Sequence, residues 1–206
     1  MIRWYFESFG IFTENHEVEF EDDIIHCLDA LQRGGIILYP TDTIWGIGCD
    51  ATNATAVEKI YEIKRRPSAK SMIVLLADTR DVNRYTARPQ PYIADYLEMT
   101  TKPTTVIYEA ALGLADNLVA EDGSIAMRIV KEDFCRHLIK RFRKPLVSTS
   151  ANISGYPSPE NFAGIADEIK QAVDYIVKYR QEDSQPSVAS SIVRFNHSGD
   201  PVVIRS

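Results

Sequence analysis

Several short segments of this chain combine polar side chains and glycines in ways that suit the binding of a charged small molecule. One is PTDTIWGIGCDA, residues 40–51, where Gly46-Ile47-Gly48-x-x-Ala51 nominally fits a dinucleotide-binding fingerprint with Asp78 at the end of the next strand. Five residues separate the preceding strand from Gly46, however, and the next helix is predicted to begin at Thr55, too late for a pyrophosphate on its N-terminus. A dinucleotide site and a glycine-rich turn without a ligand are therefore both open interpretations.

A second segment is rich in positive charge: Lys64-Arg65-Arg66-Pro67, with Lys70 close behind it. Pro67 is predicted to end a helix, so these cations lie in its last turn, where the helix dipole favours positive charge even without a ligand. They also follow the glycine-rich segment by one helix and precede a buried strand, so both segments could face one crevice. A lysine point charge beside an arginine fork suits a triphosphate.

Two further segments place hydroxyl groups beside predicted strands. Ser148-Thr149-Ser150-Ala151-Asn152-Ile153-Ser154-Gly155 follows a buried run that starts at Pro145. Its hydroxyls and amide suit phosphate oxygens or a polar small molecule, but they could equally close a simple turn by bonding to their own backbone. Ser187-Val188-Ala189-Ser190-Ser191-Ile192-Val193-Arg194, followed by the strand that ends at Arg205, could close over a ligand or form a plain edge hairpin.

The sequence offers no residues for classical nucleophilic or zinc catalysis. The four histidines are scattered outside these segments, and there is no Ser/His/Asp or Cys/His pattern, no HExxH and no Walker A motif. The three cysteines are far apart and form no CxxC pair, so neither a disulfide framework nor a zinc site is expected. An enzyme of this kind would work by orienting substrates and stabilising charge, as phosphoryl-group chemistry allows.

Length and charge narrow the class of protein. The 206 residues carry 23 Lys plus Arg against 29 Asp plus Glu, a net charge of −6, with 45% hydrophobic and 25% charged residues. These values are ordinary for one soluble globular domain, and the acidic balance disfavours a protein that coats nucleic acid by bulk charge. The N-terminus has no signal-peptide core and no apolar window is long enough for a membrane span, so a cytoplasmic protein without a membrane partner is expected.

The elements that must position these segments alternate along the chain. The spacing of apolar residues predicts helices over 21–33, from a capping box at Thr55-x-x-Glu58, over 91–99, over 132–143 and over about 161–173. Apolar runs and alternation predict strands over 2–6, 36–39, 72–76, 104–109, 124–130, 145–149, 174–178, 189–195 and 201–205. This interleaving predicts a single α/β domain with a twisted sheet flanked by helices, and the sheet is mixed because the last two strands form a hairpin.

These segments, in this order, resemble the YrdC/Sua5/YciO family of threonylcarbamoyl-AMP synthases. Three motifs carry the resemblance: PTDT-x-x-G-x-G-C-D from Pro40, K-x-R at Lys64 and Arg66, and S-x-N at Ser150 and Asn152. It covers about residues 22–206, which leaves 1–20 as an N-terminal extension. It implies the short YrdC-like form, without the C-terminal domain of the Sua5 type, and a YrdC-like fold with a deep cationic cleft.

The resemblance also implies an activity, the synthesis of threonylcarbamoyl-AMP and pyrophosphate from L-threonine, bicarbonate and ATP, with Mg²⁺ bound to ATP. The product would serve the t6A modification of tRNA, with tRNA or a TsaD-like t6A transferase as transient partners. The implied ATP-binding residues are Lys64, Arg66, Ser148, Ser150, Asn152, Ser190 and Arg205. The implied threonine-binding residues are Thr43, Thr105 and Arg128, the last through the threonine carboxylate. No side chain stands out as a general base.

The chain departs from the family pattern mainly on the threonine side. W-P-G-P-x-T is replaced by Thr101-Lys102-Pro103-Thr104-Thr105, and R-x-P by Arg128-Ile129-Val130. S-T-x-V-D is replaced by Ser190-Ser191-Ile192-Val193-Arg194, which puts a base where the family has an acid. A second hypothesis therefore stands beside the first: a YciO-like paralogue or RNA-binding protein that keeps the cleft but lacks the synthase activity.

Overall fold

The computed structural model describes residues 19–66, 72–184 and 188–206. The strand predicted at 2–6 lies outside these residues, as do nearly all of the extension at 1–20 and three motif residues, Pro67, Lys70 and Ser187. Each of the other predicted helices and strands has a counterpart in the described part of the chain.

Five α-helices occur within the described residues. They are α1 (Glu21–Gln32), α2 (Ala54–Lys64), α3 (Pro91–Met99), α4 (Asp133–Phe142) and α5 (Asp167–Gln171). Helices α1 and α4 pack together, because the Phe20 ring meets the Phe134 ring edge-on at 5.6 Å and Arg141 binds the Glu21 carboxylate. Helix α3 packs on the sheet through Tyr96, whose ring lies 5.3 Å from that of Phe195.

The strands form one mixed sheet, which confirms the predicted fold class. The described residues contribute β1 (Ile37–Tyr39), β2 (Gly46–Gly48), β3 (Ile73–Leu76), β4 (Thr104–Tyr108), β5 (Ile125–Ile129), β6 (Leu146–Ser150), β7 (Tyr175–Ile176), β8 (Ser191–Phe195) and β9 (Pro201–Arg205). Their order across the sheet is β7-β1-β2-β6-β3-β5-β4-β8-β9. The pairs β1/β7, β3/β5 and β4/β8 are parallel and the remaining pairs are antiparallel.

The central strands bring distant motifs into register. Gly46 of β2 lies opposite Ser150 of β6, and Ile73 of β3 lies opposite Ser148 of the same strand. On the other side of β3, Arg128 of β5 lies directly opposite Thr105 of β4. The register thus places segments that are far apart in sequence on neighbouring central strands, with Ser148 level with Ile73 and Arg128 level with Leu75 of β3.

The glycine-rich segment is a strand, so the predicted turn and the dinucleotide fingerprint were both wrong. Gly46–Gly48 forms β2 between β1 and β6, whereas the fingerprint needs its glycines in a loop that leads directly into a helix. Glycine is required at position 48, because a Cβ there would lie 2.1 Å from the Val147 carbonyl oxygen and 2.8 Å from the Tyr39 ring. Gly48 thus allows three strands to approach closely, while Gly46 lines the small pocket described below.

Two helix boundaries differ from the prediction. The N-cap of α2 is Asn53, whose side chain accepts a hydrogen bond from the Ala56 N–H at 3.1 Å, so the capping box at Thr55-x-x-Glu58 was wrong. The helix predicted over 161–173 is instead a 3₁₀ turn at Phe162–Gly164 followed by the short helix α5. Asn161 accepts from the Gly164 N–H and Ala166 is extended, so the local hydrogen bonds interrupt the helix.

The hairpin of β8 and β9 contains a bulge. Val193 lies opposite Val203, but Ile192 lies opposite Arg205, so β9 has one extra residue between these pairs. Because side chains alternate along a strand, the extra residue turns Arg205 to the face that carries Ile192.

Within the described part of the chain, no helix has the length and hydropathy that a membrane span requires.

Candidate active site

A small pocket of about 50 Å³ lies where β2, β5, β6 and the segment before β8 meet. Its lining includes six of the ten predicted site residues: Thr43, Arg128, Ser148, Ser150, Ser190 and Arg205. Three of these are serines that present neutral hydroxyls, and two are arginines. The fold thus gathers residues from both predicted half-sites around one pocket, although their individual roles stay predictions.

Arg128 is the buried charge of this pocket, with 4% of its surface exposed. Its Nη1 donates to the Thr43 hydroxyl at 2.9 Å, and its Nη2 lies 3.2 Å from an oxygen of Asp42. The Thr43 hydroxyl is in turn 2.9 Å from that of Thr41, so the PTDT segment holds the guanidinium on one side. The hydroxyl and the carboxylate together fix the orientation of this buried guanidinium.

Lys64 ends α2, and only 1% of its surface is exposed. Its ammonium donates to the carbonyl oxygens of Ser150 at 2.5 Å and Asn152 at 2.6 Å, so it holds the S-x-N turn. Burial, with a smaller contribution from Arg66, lowers the pKa of Lys64 to about 7. The two carbonyl acceptors act in the opposite direction, because they stabilise the ammonium form.

The chain leaves α2 two residues before Pro67. Arg65 adopts the left-handed conformation, with φ of 49°, and its side chain binds the exposed Glu168 of α5. Arg66 follows, partly buried, and its pKa is lowered mainly by that burial. The left-handed Arg65 therefore ends the helix, with Lys64 in its last turn and Arg66 beyond it.

The residues after β6 form a tight turn with unpaired polar atoms. The Asn152 amide donates to the carbonyl oxygens of Ile153 at 3.0 Å and Tyr156 at 2.7 Å. Its Oδ1 and the Ser154 hydroxyl are buried, and neither has a hydrogen-bond partner among the described residues. The turn that was one interpretation of this segment is present, and it leaves acceptor and donor capacity unused.

The end of the chain closes another side of the pocket. The Ser190 hydroxyl lies 2.8 Å from the Thr105 hydroxyl of β4, and both residues are buried. Arg205 donates from Nη2 to the Ser190 carbonyl oxygen at 2.8 Å. Arg194 stands where the resemblance predicts an acid, four residues beyond Ser190 along the chain. It lies away from Ser190 and donates to Asp122 at 3.2 Å.

A larger cavity of about 680 Å³ adjoins the small pocket and shares Thr43 and Ile44 with it. The charged residues of its described lining are four acids and one base: Asp42, Glu160, Glu182, Asp183 and Arg180. The Arg180 guanidinium donates to the Thr41 carbonyl oxygen at 3.2 Å and to Asp183 at 2.6 Å. Positive charge is thus concentrated in the small pocket, and a deep cleft that is cationic throughout stays a prediction.

Unsatisfied buried polar atoms cluster at this site. Across residues 19–66, 72–184 and 188–206, six buried side-chain nitrogen or oxygen atoms lack a hydrogen-bond partner. Four of them belong to the site: Arg128 Nε, Asn152 Oδ1, Ser154 Oγ and Asp42 Oδ1, although the last lies 3.2 Å from Arg128 Nη2 in an ion pair. Buried polar groups are rarely left unpaired, so this arrangement fits a site that is completed by a polar ligand.

Two residues of the site had no assigned role in the sequence. Asp42 lies inside PTDT, and its pairing with Arg128 joins positions 86 residues apart, which spacing does not reveal. Arg180 lies in the polar segment between β7 and β8, and its contact with the PTDT segment spans 139 residues. The only signal for Arg180 was its place in a loop beside a polar motif, since such loops often carry function.

The family model Sua5/YciO/YrdC, described as telomere recombination, matches residues 29–206. This range is most of the chain and includes all of the motifs named above. The chain belongs to the Sua5/YciO/YrdC family. A threonylcarbamoyl-AMP synthase from Pseudoalteromonas translucida is a 31% identical relative over 160 residues, which cover 76% of this chain and 86% of the relative.

Two solved structures of Sua5/YciO/YrdC proteins have the same fold. Sua5 from P. abyssi in complex with L-threonine superposes with a TM-score of 0.78 at 22% identity, covering 88% of this chain and 53% of Sua5. The chain thus spans about half the length of that Sua5. YciO from E. coli superposes with a TM-score of 0.77 at 21% identity, covering 90% of this chain and 89% of YciO. The predicted family and its α/β fold are confirmed.

Proposed function

We propose that this member of the Sua5/YciO/YrdC family makes threonylcarbamoyl-AMP and pyrophosphate from L-threonine, bicarbonate and ATP. A relative of that name is 31% identical over most of its length. The observation that carries the proposal is the buried guanidinium of Arg128, with its unpaired Nε, in one pocket with three serine hydroxyls. A fixed cation beside neutral donors can bind a carboxylate and a phosphate next to each other.

The chemistry needs orientation rather than a protein nucleophile. The threonine amine takes up CO₂ to form a carbamate, and a carbamate oxygen then attacks the α-phosphorus of ATP. The bond from that phosphorus to the pyrophosphate oxygen breaks, and pyrophosphate leaves with its electron pair. Donors and cations that stabilise the developing negative charge are sufficient for such a step.

The residues divide between the two substrates. Arg128, placed by Thr43, would bind the threonine carboxylate through its planar fork. Thr105 would help position the threonine-binding part of the site through the contact of its hydroxyl with that of Ser190. The neutral polar side chains of Ser148, Ser150, Asn152 and Ser190 would surround the α-phosphate. The cations Lys64, Arg66 and Arg205 would bind the phosphates of ATP.

Mg²⁺ would enter this site with ATP. Magnesium in nucleotide sites is usually held by substrate phosphates, waters and one or two protein oxygens rather than by a full protein cage. The oxygen atoms of Ser148, Thr149 and Ser150 that line the small pocket are hard, neutral ligands of a fitting type. When bound, the ion supplies charge neutralisation on the phosphates.

We also propose that the product supports the t6A modification of tRNA in the cytoplasm, with tRNA or a t6A transferase as transient partners. The name of the 31% identical relative, threonylcarbamoyl-AMP synthase, supports the formation of this product. The second hypothesis, a YciO-like protein with the same fold and no synthase activity, makes the opposite prediction for the assay below.

The test is pyrophosphate release from ATP and bicarbonate, with L-threonine added or omitted. We expect release that requires both L-threonine and bicarbonate, and mass spectrometry should detect threonylcarbamoyl-AMP. Arg128→Lys keeps the charge but loses the fork, so it should lower threonine-dependent release by at least about tenfold. Release driven by another amine, but not by threonine, would refute the substrate, and no release with any amine would favour the YciO-like alternative.

A further inference from the structure

A second polar pocket lies at the opposite end of the central strands. It has a volume of about 310 Å³ and lies beside Leu76 at the end of β3 and Pro145 just before β6. The candidate active site lies at the other ends of these strands, beside Ile73 and Ser148. None of the described residues that line this second pocket also lines the active-site pocket or the adjoining cavity.

Positive charge dominates the lining of this pocket. Four cations from two separate segments face it, namely Arg84, Lys140, Arg143 and Lys144, and we call the space they surround the basic pocket. The acid in its described lining is Asp81, which lies 3.8 Å from Arg84. The chain as a whole carries a net charge of −6, so this concentration of cations runs against its average.

Two of these cations make no close ion pair with any described residue. Lys144 is paired with the buried carboxylate of Asp50 at 2.6 Å. Across the described residues, by contrast, Lys140 and Arg143 make no ion pair and no side-chain hydrogen bond. The nearby Asp78 is bound by Arg80 at 2.8 Å and interacts only weakly, at longer range, with Lys140. The basic pocket therefore has charge available for an external anion.

The helix dipole does not account for the whole arrangement. It favours Lys140 and other cations at the end of α4, but Arg84 comes from the 3₁₀ turn at Thr79–Arg84 and meets them across the pocket. Arg143 also adopts a left-handed conformation, with φ of 59°, at the C-cap position where glycine is usual. The chain keeps an arginine there in spite of the backbone cost of a side chain.

We propose that the basic pocket binds a small anion with two or more phosphate groups. Guanidinium forks and ammonium groups together suit several phosphate oxygens, and the volume is at the lower end of the range for small-molecule sites. The charges surround a concave space rather than forming a stripe, and the chain as a whole carries a net charge of −6, so an oligophosphate fits better than a long RNA. This proposal does not depend on the synthase activity.

The test uses tripolyphosphate as the probe and amide chemical shifts of the full chain as the readout, at 150 mM KCl without Mg²⁺. We expect saturable shifts at Tyr85, Arg143 and Lys144. The double variant K140A/R143G should weaken binding at this position by at least about tenfold, because both unpaired cations are lost. Glycine is favoured at the left-handed position 143, so this variant should fold as well as the original chain.

The variant R33A/K178A is the matched control, because it removes two exposed cations that do not line the basic pocket. An equal loss of affinity in this control would refute the proposal. So would shifts confined to residues 148–152, or equal shifts from sulfate at the same concentration. If a short RNA hairpin shifts the same amides at lower concentration than tripolyphosphate, the assignment to a small anion is wrong.

Discussion

The ammonium of Lys64 donates to the carbonyl oxygen of Ser150 at 2.5 Å, and this contact joins the end of α2 to the end of β6. The backbone repeats the connection, since the Ser154 N–H donates to the Lys64 carbonyl oxygen at 2.9 Å. The K-x-R and S-x-N motifs are therefore one structural unit, in which the buried lysine shapes the turn that carries the serine and asparagine.

Replacing Lys64 with alanine should affect both stability and ligand binding. Two buried carbonyl oxygens lose a charged donor, so the free energy of unfolding should fall by about 2 kcal/mol, measured by urea denaturation. ATP affinity, measured by calorimetry, should fall strongly, as it should for Arg66→Ala. Arg65→Ala is the control, because its exposed ion pair should contribute at most about 0.5 kcal/mol. Unchanged stability and ATP affinity in Lys64→Ala would contradict this account.

ATP binding should take up protons near neutral pH. Lys64 has a pKa of about 7 in the folded chain, so it is partly neutral at pH 7.5, and nearby phosphates would raise its pKa. ATP affinity should therefore decrease as pH rises from 7 to 8.5. Calorimetry in buffers of different ionisation enthalpy measures the uptake. Lys64→Arg, which stays protonated, should lose it, and equal uptake in this variant would exclude Lys64 as the source.

The same shift predicts how stability depends on pH. The pKa of Lys64 rises from about 7 in the folded chain to its ordinary 10.5 on unfolding. Between these values the unfolded chain binds more protons, so this group makes the free energy of unfolding increase with pH. Urea denaturation from pH 7 to 9 should show a smaller increase in Lys64→Met than in the unmodified chain. Equal slopes would mean that the carbonyl acceptors hold the ammonium form throughout.

Arg128→Lys should act mainly on threonine. Lysine keeps the charge beside Asp42 but cannot bind a carboxylate with two parallel bonds. The KM for threonine should rise at least about tenfold, while the ATP affinity changes by less than about threefold. Arg136→Lys, on the partly exposed α4 surface, is the matched control and should behave like the unmodified chain. An equal loss for both substrates would place Arg128 elsewhere in the reaction.

The two hydroxyls that join β4 to the segment before β8 can be tested by a double-mutant cycle. Thr105 and Ser190 lie 2.8 Å apart in a buried setting, so Thr105→Val and Ser190→Ala should be coupled by about 1 kcal/mol in unfolding free energy. Urea denaturation of both single variants and the double variant provides the coupling. A value near zero would show that the hydroxyls do not stabilise each other.

Local patterns in the sequence were sufficient where one segment determines its own structure. The spacing around Phe134 and Leu138 predicts a helix over 132–143, and α4 spans Asp133–Phe142. Strand β2 was missed because Gly46 and Gly48 have low strand propensity, and its pairing with β1 and β6 is a tertiary effect. Asn53 was missed as a cap because Thr55 offers the same signal two residues later.

The site was predictable only as far as its residues form local sequence patterns. Residue types at strand ends located the PTDT and S-x-N segments, those at a helix end located K-x-R, and the family resemblance joined them into one site. The orientation of Lys64 toward two carbonyl oxygens was not visible, since hydrogen bonds across 86 and 88 residues leave no local pattern. The contact between Arg180 and the Thr41 carbonyl was hidden for the same reason.

The bulge in β9 makes the direction of Arg205 depend on the register of the hairpin rather than on the side chains before it. Ile204 is the extra residue, and in a regular ladder without the bulge Arg205 would lie opposite Ser191, on the other face of the sheet. A library of substitutions at this exposed position would show little effect. Loss of the bulge should therefore be far more damaging than any change of side chain at position 204, and the hairpin works as a spacer for its last arginine.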